Sequence, residues 1–256
     1  MNIKYTLGAL VSVPLLPILY FQGRKIKNTI PELPEAEGIE GIAEIPSNQI
    51  FRLITIGEST IAGVGATTHK TGFTGTLANA LTTQVQSSVS WKVYAKSGYT
   101  AKRVKDEILQ TITEKPVDLI VIGLGGNDCF KLHTPKKWNA DIRELLANIR
   151  AKYTETPILF INMPPIKEFP AFTSTIKFVM GNLVQIFGKE LEKVVKDFNN
   201  VYYNSKTIWF DDYIQQMNLD ATTADFFSDG VHPSEFAYQI WAKDIANYIM
   251  EQTILS

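Results

Sequence analysis

The chain has 256 residues, with 25 Lys and Arg against 26 Asp and Glu and a formal charge of −1 at pH 7. At 45% apolar and 20% charged residues, the composition excludes disordered, collagen-like and coiled-coil classes, and the near-neutral balance leaves no electrostatic footprint for nucleic acid. A single cysteine, Cys129, excludes an internal disulfide framework and a cysteine-rich zinc site.

The first predicted element is residues 5–23, YTLGALVSVPLLPILYFQG, a run without charge. About 20 helical residues cross a hydrocarbon core, so the run is just long enough to span. Pro14 and Pro17 interrupt it, Lys4 precedes it, and Arg24, Lys25 and Lys27 follow. Residues 1–27 are therefore expected to form an N-terminal hydrophobic anchor with a basic flank, giving membrane association. An interfacial hairpin, a cleaved signal or a strip packed on the domain are the alternatives. The flanking charges bias the following chain weakly towards the cytoplasmic face. Residues 28–49, rich in Pro, Gly and Glu, read as a linker or an extended arm. The main domain is expected to occupy residues 50–256.

Strand and helix patterns then alternate. FRLITIG (51–57) is an apolar run ended by glycine, the form of a buried parallel strand. Phe73, Leu77 and Leu81 recur at helical spacing. SVSWKVYA (88–95) is a second strand. Thr100 is placed to cap a helix with Ala101, Val104, Ile108 and Ile112 on one face. VDLIVIGLG (117–125) is a third strand, and Thr134-Pro135 opens a helix carrying Trp138, Ile142, Leu145, Ile149 and Tyr153. PILFIN (157–162) is followed by a long helix marked by Ile176, Met180, Leu183, Phe187, Leu191, Val194 and Phe198. NVYY (200–203) is a short strand. The last helix starts near Ser234 and is expected to turn Ala237, Trp241, Ile245 and Tyr248 inward. This alternation predicts an α/β domain, a parallel sheet of about five strands covered by helices on both faces.

Reacting groups on such sheets gather beyond the carboxyl ends of the strands. There the sequence places Gly57-Glu58-Ser59-Thr60, Ser97-Gly98-Tyr99, Gly125-Gly126-Asn127-Asp128 and, before the last helix, Ser228-Asp229-Gly230-Val231-His232-Pro233-Ser234. These residue types suit acyl transfer. A serine hydroxyl needs an adjacent base, His232 can serve as that base, and Asp229 is three residues away to orient its ring. The backbone N–H groups of Ser59 and Gly98 and the side-chain amide of Asn127 are candidate donors to an oxyanion. Each block alone has an ordinary structural reading. Ser59 could cap the next helix, and the Gly, Asn and Asp residues could form turns.

The four blocks, GEST, SGYTA, GGND and SDGVHPS in that order, resemble those of the SGNH/GDSL hydrolase family over residues 51 to about 250. The resemblance implies a flavodoxin-like three-layer α/β/α sandwich with strand order 2-1-3-4-5, and ester hydrolysis. It implies Ser59 as nucleophile, Asp229 and His232 as the rest of a triad, and Ser59, Gly98 and Asn127 as the oxyanion hole. The family's Asp before the serine is Glu58 here, a change expected to alter how that carboxylate supports the local turn.

His69 lies in a polar loop and is expected to be solvated. His133 could line the site but has no carboxylate at the Asp-x-x-His spacing, and Cys129 is a distant rival nucleophile. Dinucleotide, P-loop and metalloprotease patterns fail on inspection, so no cofactor and no catalytic metal are expected. Residues 163–187 are unusually apolar. Phe169, Phe172 and Phe178 there suggest an acyl-chain groove or lid, or packing against the core or the N-terminal arm. The expected partner is a small-molecule or lipid ester, such as a lysophospholipid. An acyltransferase or sugar O-acetyl esterase with the same triad, and a non-catalytic binding protein, are the alternatives.

Overall fold

The computed structural model describes residues 3–255, so the first two residues of the 1–27 segment lie outside the described residues. Six strands form one sheet: β1 (Glu40–Ala43), β2 (Ile50–Gly57), β3 (Ser88–Ala95), β4 (Leu119–Gly123), β5 (Ile158–Phe160) and β6 (Val201–Tyr203), in the order β1-β3-β2-β4-β5-β6. The five strands from β2 onward pair in parallel. Renumbered from one, they have the order 2-1-3-4-5. The sixth strand, β1, comes from the Pro/Gly/Glu-rich arm and pairs antiparallel to β3 at the edge, so the sheet is mixed.

Side chains alternate across a strand, and the alternation divides the core. Ile54, Ile56, Ile120, Ile122, Ile158 and Phe160 share one buried cluster; Leu53, Val89, Leu119, Val121 and Leu159 share the other. Both faces are covered, which is why these strands read as unbroken apolar runs.

The helices are α1 (Ile3–Ser12), α2 (Leu16–Thr29), α3 (Phe73–Val85), α4 (Ala101–Arg103), α5 (Gly126–Phe130), α6 (Pro135–Lys152), α7 (Ser174–Val195), α8 (Phe210–Gln216) and α9 (Glu235–Glu251). Helices α4, α6 and α7 cover the first cluster, α3 and α9 the second. Thr100, Thr134 and Ser234 cap α4, α6 and α9 through their hydroxyls. The helix expected after Thr100 is broken, α4 passing into a π turn and then a 3-10 turn. On α9 the buried stripe in the second cluster is Tyr238, Ala242, Ile245, Ala246 and Ile249, with Trp241 and Tyr248 half-buried beside it. That stripe is displaced from the expected one because α9 packs beside α3 as well as over the sheet.

The N-terminal apolar run does not form one spanning helix. A 3-10 turn at Val13–Leu15, containing Pro14, separates α1 from α2, and Pro17 sits in the first turn of α2. Proline removes a backbone donor and resists continuation of a helix. No helix among the described residues is long and apolar enough to cross a membrane. The segment packs on α7, with Leu19 buried in the first core cluster.

Candidate active site

Strand register brings the predicted blocks together. Gly57 at the end of β2 is level with Ala95 of β3 and with Gly123 of β4. The segments that follow therefore emerge side by side at the carboxyl edge. Ser59, Gly98, Asn127 and His232 line one cavity of about 1300 Å³.

Ser59 does not cap a helix. Its carbonyl accepts from Val64 N–H at 3.0 Å within a run of turns, and α3 begins only at Phe73 with Gly72 as its cap. Among the described residues, the Ser59 hydroxyl and the backbone N–H groups of Ser59 and Gly98 have no hydrogen-bond partner. Unspent donors on a cavity wall are what an oxyanion requires. Gly98 has φ +80, a left-handed conformation that glycine adopts without the Cβ penalty.

The imidazole is held firmly. Asp229 accepts from His232 Nδ1 at 2.7 Å through one oxygen, and from the backbone N–H groups of Val231 and His232 at 2.9 and 2.7 Å through the other. The Asp229 side chain is fully buried, whereas that of His232 is 26% exposed. Burial pushes the Asp229 carboxyl up, but the His232 ring and these backbone donors outweigh it and hold it below its ordinary range. An ionised Asp229 keeps the proton on Nδ1 and leaves Nε2 free to act as base. No hydrogen bond joins His232 to the Ser59 hydroxyl within the described residues.

The histidine loop is seated on the turns that follow Ser59. Ser228 Oγ donates to the Gly65 carbonyl at 3.0 Å. Gly65 has φ +100, and a Cβ there would lie 2.2 Å from the Pro233 carbonyl oxygen. A side chain at 65 would therefore force the His232 loop away from the serine segment.

Glu58 supports a neighbouring strand end instead of its own turn. Its buried carboxylate accepts from Gly126 N–H at 2.7 Å, from Asn127 N–H at 2.9 Å and from the Asn127 side-chain amide. One hydrogen of that amide is thus spent on Glu58, and the other is left for substrate. The longer reach of Glu over Asp spans from β2 to the segment after β4. This bridge couples two distant blocks, and sequence spacing carries no signal for it.

Burial, reinforced by the charge of Asp128 and opposed by the backbone donors, pushes the Glu58 carboxyl up to about 7. A carboxyl raised above its unfolded value of 4.5 contributes stability fully present below about pH 4.5 and lost as pH rises through about 7. The contribution is on the order of 3 kcal/mol. Buried His69, with its lowered pKa, shifts stability in the opposite sense between about pH 4 and 6.5, so the Glu58 effect is read as a difference between two proteins. In urea unfolding, Glu58→Gln should gain more stability from pH 5 to pH 8 than the wild type does; an equal change in both would refute the assignment.

Three other predicted candidates lie elsewhere. His69 is 2% exposed, and burial holds its pKa down near 4 despite the opposing charge of Glu35. It packs beneath Gly63, so the expectation of a solvated ring is corrected. His133 pairs with Asp128 (Nδ1–Oδ1, 2.9 Å), whose other oxygen accepts from Ala101 N–H at 2.9 Å. This second Asp–His pair has a five-residue spacing and does not line the cavity. Cys129 is fully buried, its thiol pushed up by burial and the charges of Glu58 and Asp128; it is unsuited to act as a nucleophile.

Asp128, His133 and Asp141 have potential ligand atoms within 4.8 Å of one another. Asp141 is engaged by Lys137 at 2.6 Å, and Asp128 by the partners above. These carboxylates are spoken for, and nothing at the cluster points to a bound cation.

The loop after β5 divides its phenylalanines. Phe169 is buried and Phe172 half-buried, both lining the cavity, while Phe178 is 50% exposed on α7.

A search of curated proteins returns no match. Among solved structures, the lipase Lip_vut3 from a goat rumen metagenome aligns with TM-score 0.56 at 19% identity, over 77% of this chain and 98% of that one. A mutant of Axe2, an acetyl-xylooligosaccharide esterase from Geobacillus stearmophilus, aligns with TM-score 0.59 at 17% identity, over 78% and 94%. The salicylyl-acyltransferase SsfX3 from a tetracycline biosynthetic pathway aligns with TM-score 0.56 at 13% identity, over 83% of this chain and 57% of that one. At these identities the likeness shows the fold. The model of the GDSL-like lipase/acylhydrolase family matches residues 55–240, a range that takes in Ser59, Gly98, Asn127, Asp229 and His232, and the chain belongs to that family.

Proposed function

We propose that the protein hydrolyses carboxylic esters through an acyl-serine at Ser59. The observation that carries this reading is the Asp229–His232 pair, at 2.7 Å, on the wall of the cavity that also holds Ser59 and the unspent N–H groups. His232 Nε2 takes the hydroxyl proton as Ser59 Oγ bonds to the ester carbonyl carbon. The carbonyl oxygen becomes an oxyanion against the Ser59 and Gly98 N–H groups and the Asn127 amide. The C–O bond to the alcohol breaks, and the alcohol leaves with the proton from His232. Water, deprotonated by the same ring, then cleaves the acyl-serine and releases the acid. The Ser59 oxygen should bond to the phosphorus of a fluorophosphonate probe and expel fluoride, and the adduct should map to the peptide containing residue 59. Absence of an adduct at residue 59 would refute an activated serine.

Hydrolysis and transfer to an acceptor alcohol share this acyl-serine and differ in what attacks it. Adding increasing glycerol during turnover separates the two readings. Hydrolysis is supported when free acid stays the main product, and transfer when a glycerol ester replaces it.

We also propose that membrane contact is peripheral, made by the outer side of α1 and α2. Leu10, Val13, Ile18 and Phe21 are exposed there, and the basic residues Arg24, Lys25 and Lys27 follow. Apolar side chains beside a basic cluster suit the interface of an anionic bilayer. Each basic residue near such a surface contributes about 1 kcal/mol, or about fivefold in partition. Co-sedimentation with phosphatidylserine-containing vesicles should exceed that with pure phosphatidylcholine, and Arg24→Gln with Lys25→Gln should lower it by about 25-fold. Equal, weak sedimentation with both vesicle types would rule this contact out.

A further inference from the structure

We infer that the ester taken by this site carries a long acyl chain and that α2, which lies outside the region matched by the family, roofs the channel holding it; the inference rests on the acyl-serine reading of Ser59. The cavity of about 1300 Å³ exceeds the roughly 300–1,000 Å³ that enclose a drug-sized ligand. Besides Ser59, Gly98, Asn127 and His232, its lining includes Leu124, Phe169, Phe172, Ile176 and Met180, and α2 contributes Leu16, Leu19, Gly23 and Ile26. Charged side chains such as Lys27, Glu35 and Lys96 also reach the cavity, but most of the lining beyond the groups able to act on an ester is apolar. An acetyl group would leave most of that surface uncovered, whereas each methylene placed against it is removed from water.

The roof is fastened on both sides of the channel. Thr173, the cap of α7, donates to Gln22 Oε1 at 2.7 Å. Beyond α2, Glu35 accepts from Ser97 N–H at 2.7 Å and from Lys96 Nζ at 2.9 Å, next to Gly98. Ala36 and Glu37 then bond to the turns after Ser59. The N-terminal segment is therefore joined to the oxyanion side and the serine side of the site as well as to α7. Within the roof, Gly23 lines the cavity, and a Cβ built there meets nothing within 4 Å. A larger side chain can enter the channel from this position without displacing the backbone, and replacing a mid-helix glycine favours the helix.

The test uses the full chain and p-nitrophenyl esters, which vary the acyl side alone. A buried methylene contributes up to about fourfold in kcat/KM; at roughly half that free energy each, about twofold, the six added between butyrate and decanoate should raise it about 60-fold. Gly23→Phe should lower the decanoate-to-butyrate ratio at least about tenfold, with an unfolding midpoint no lower than wild type. A second readout does not depend on turnover: Ser59→Ala protein should bind dansyl-undecanoic acid, decanoate should displace it, and Gly23→Phe in the same background should abolish binding. Acyl-chain binding without hydrolysis by the wild type would overturn the reading of Ser59 and leave the channel standing. Hydrolysis with a flat chain-length profile, or a Gly23→Phe ratio equal to wild type, would overturn the channel. Sensitivity of decyl acetate, but not of methyl decanoate, to Gly23→Phe would show that the channel holds the alcohol side and would likewise overturn it.

Discussion

Ser59→Ala should lower kcat/KM towards p-nitrophenyl esters by at least about 10⁴-fold, with the unfolding midpoint within a degree or two of wild type. The size follows from what the hydroxyl supplies. Removing the nucleophile of a serine enzyme leaves only binding and oxyanion stabilisation, which retain a small residue of catalysis over water. The stability expectation follows from the surroundings. Among the described residues the Ser59 hydroxyl has no hydrogen-bond partner, so its loss orphans no buried group. The Ser59 carbonyl and the turns through Val64 are backbone-bonded and do not depend on the side chain. Steady-state kinetics and a thermal melt on the same preparation check both parts. Retention of more than about a tenth of wild-type kcat/KM would show that another group attacks the ester.

Asp229→Asn should lower kcat by roughly 10³–10⁴-fold while KM changes little. The carboxylate oxygen facing His232 Nδ1 at 2.7 Å is a pure acceptor. The oxygen that serves the N–H groups of Val231 and His232 must also remain an acceptor. An asparagine can keep one of these roles with its carbonyl oxygen and must then present its NH₂ to the other. Keeping the backbone pair places NH₂ against Nδ1, which shifts the ring proton to Nε2 and removes the base. Keeping the ring bond instead sets NH₂ against two backbone N–H groups and loosens the loop. Kinetics with imidazole titrated in solution distinguish these. Partial rescue of kcat indicates loss of the base, and a fallen unfolding midpoint indicates loss of the loop. A variant with full kcat would exclude Asp229 from orienting the ring.

What the sequence by itself determined was whatever depends on near neighbours or on burial of both faces of a strand. The runs at 51–57, 117–125 and 157–162 were legible because a parallel sheet covered on both sides has no polar face. The cap at Thr100 and the helix starts at Thr134 and Ser234 were legible because start signals act within one turn. The four blocks were legible because each is short, three follow a strand and the fourth precedes the last helix, and Asp229 reaches His232 across only three residues. Tertiary structure alone decided contacts between segments far apart in sequence. The edge strand β1 lies in an arm whose composition reads as a linker; it is a strand because β3 offers it a partner, and Gly41 leaves room for Trp91 beneath. Burial of His69 under the turns after Ser59, the Asp128–His133 pair, the reach of Glu58 to Gly126 and Asn127, and the closing of the cavity by α2 are of the same kind. A local pattern records a side chain's periodicity and its immediate hydrogen bonds. Which distant segment supplies the other wall or the other partner is settled only when burial and hydrogen-bond satisfaction are met for the whole chain at once.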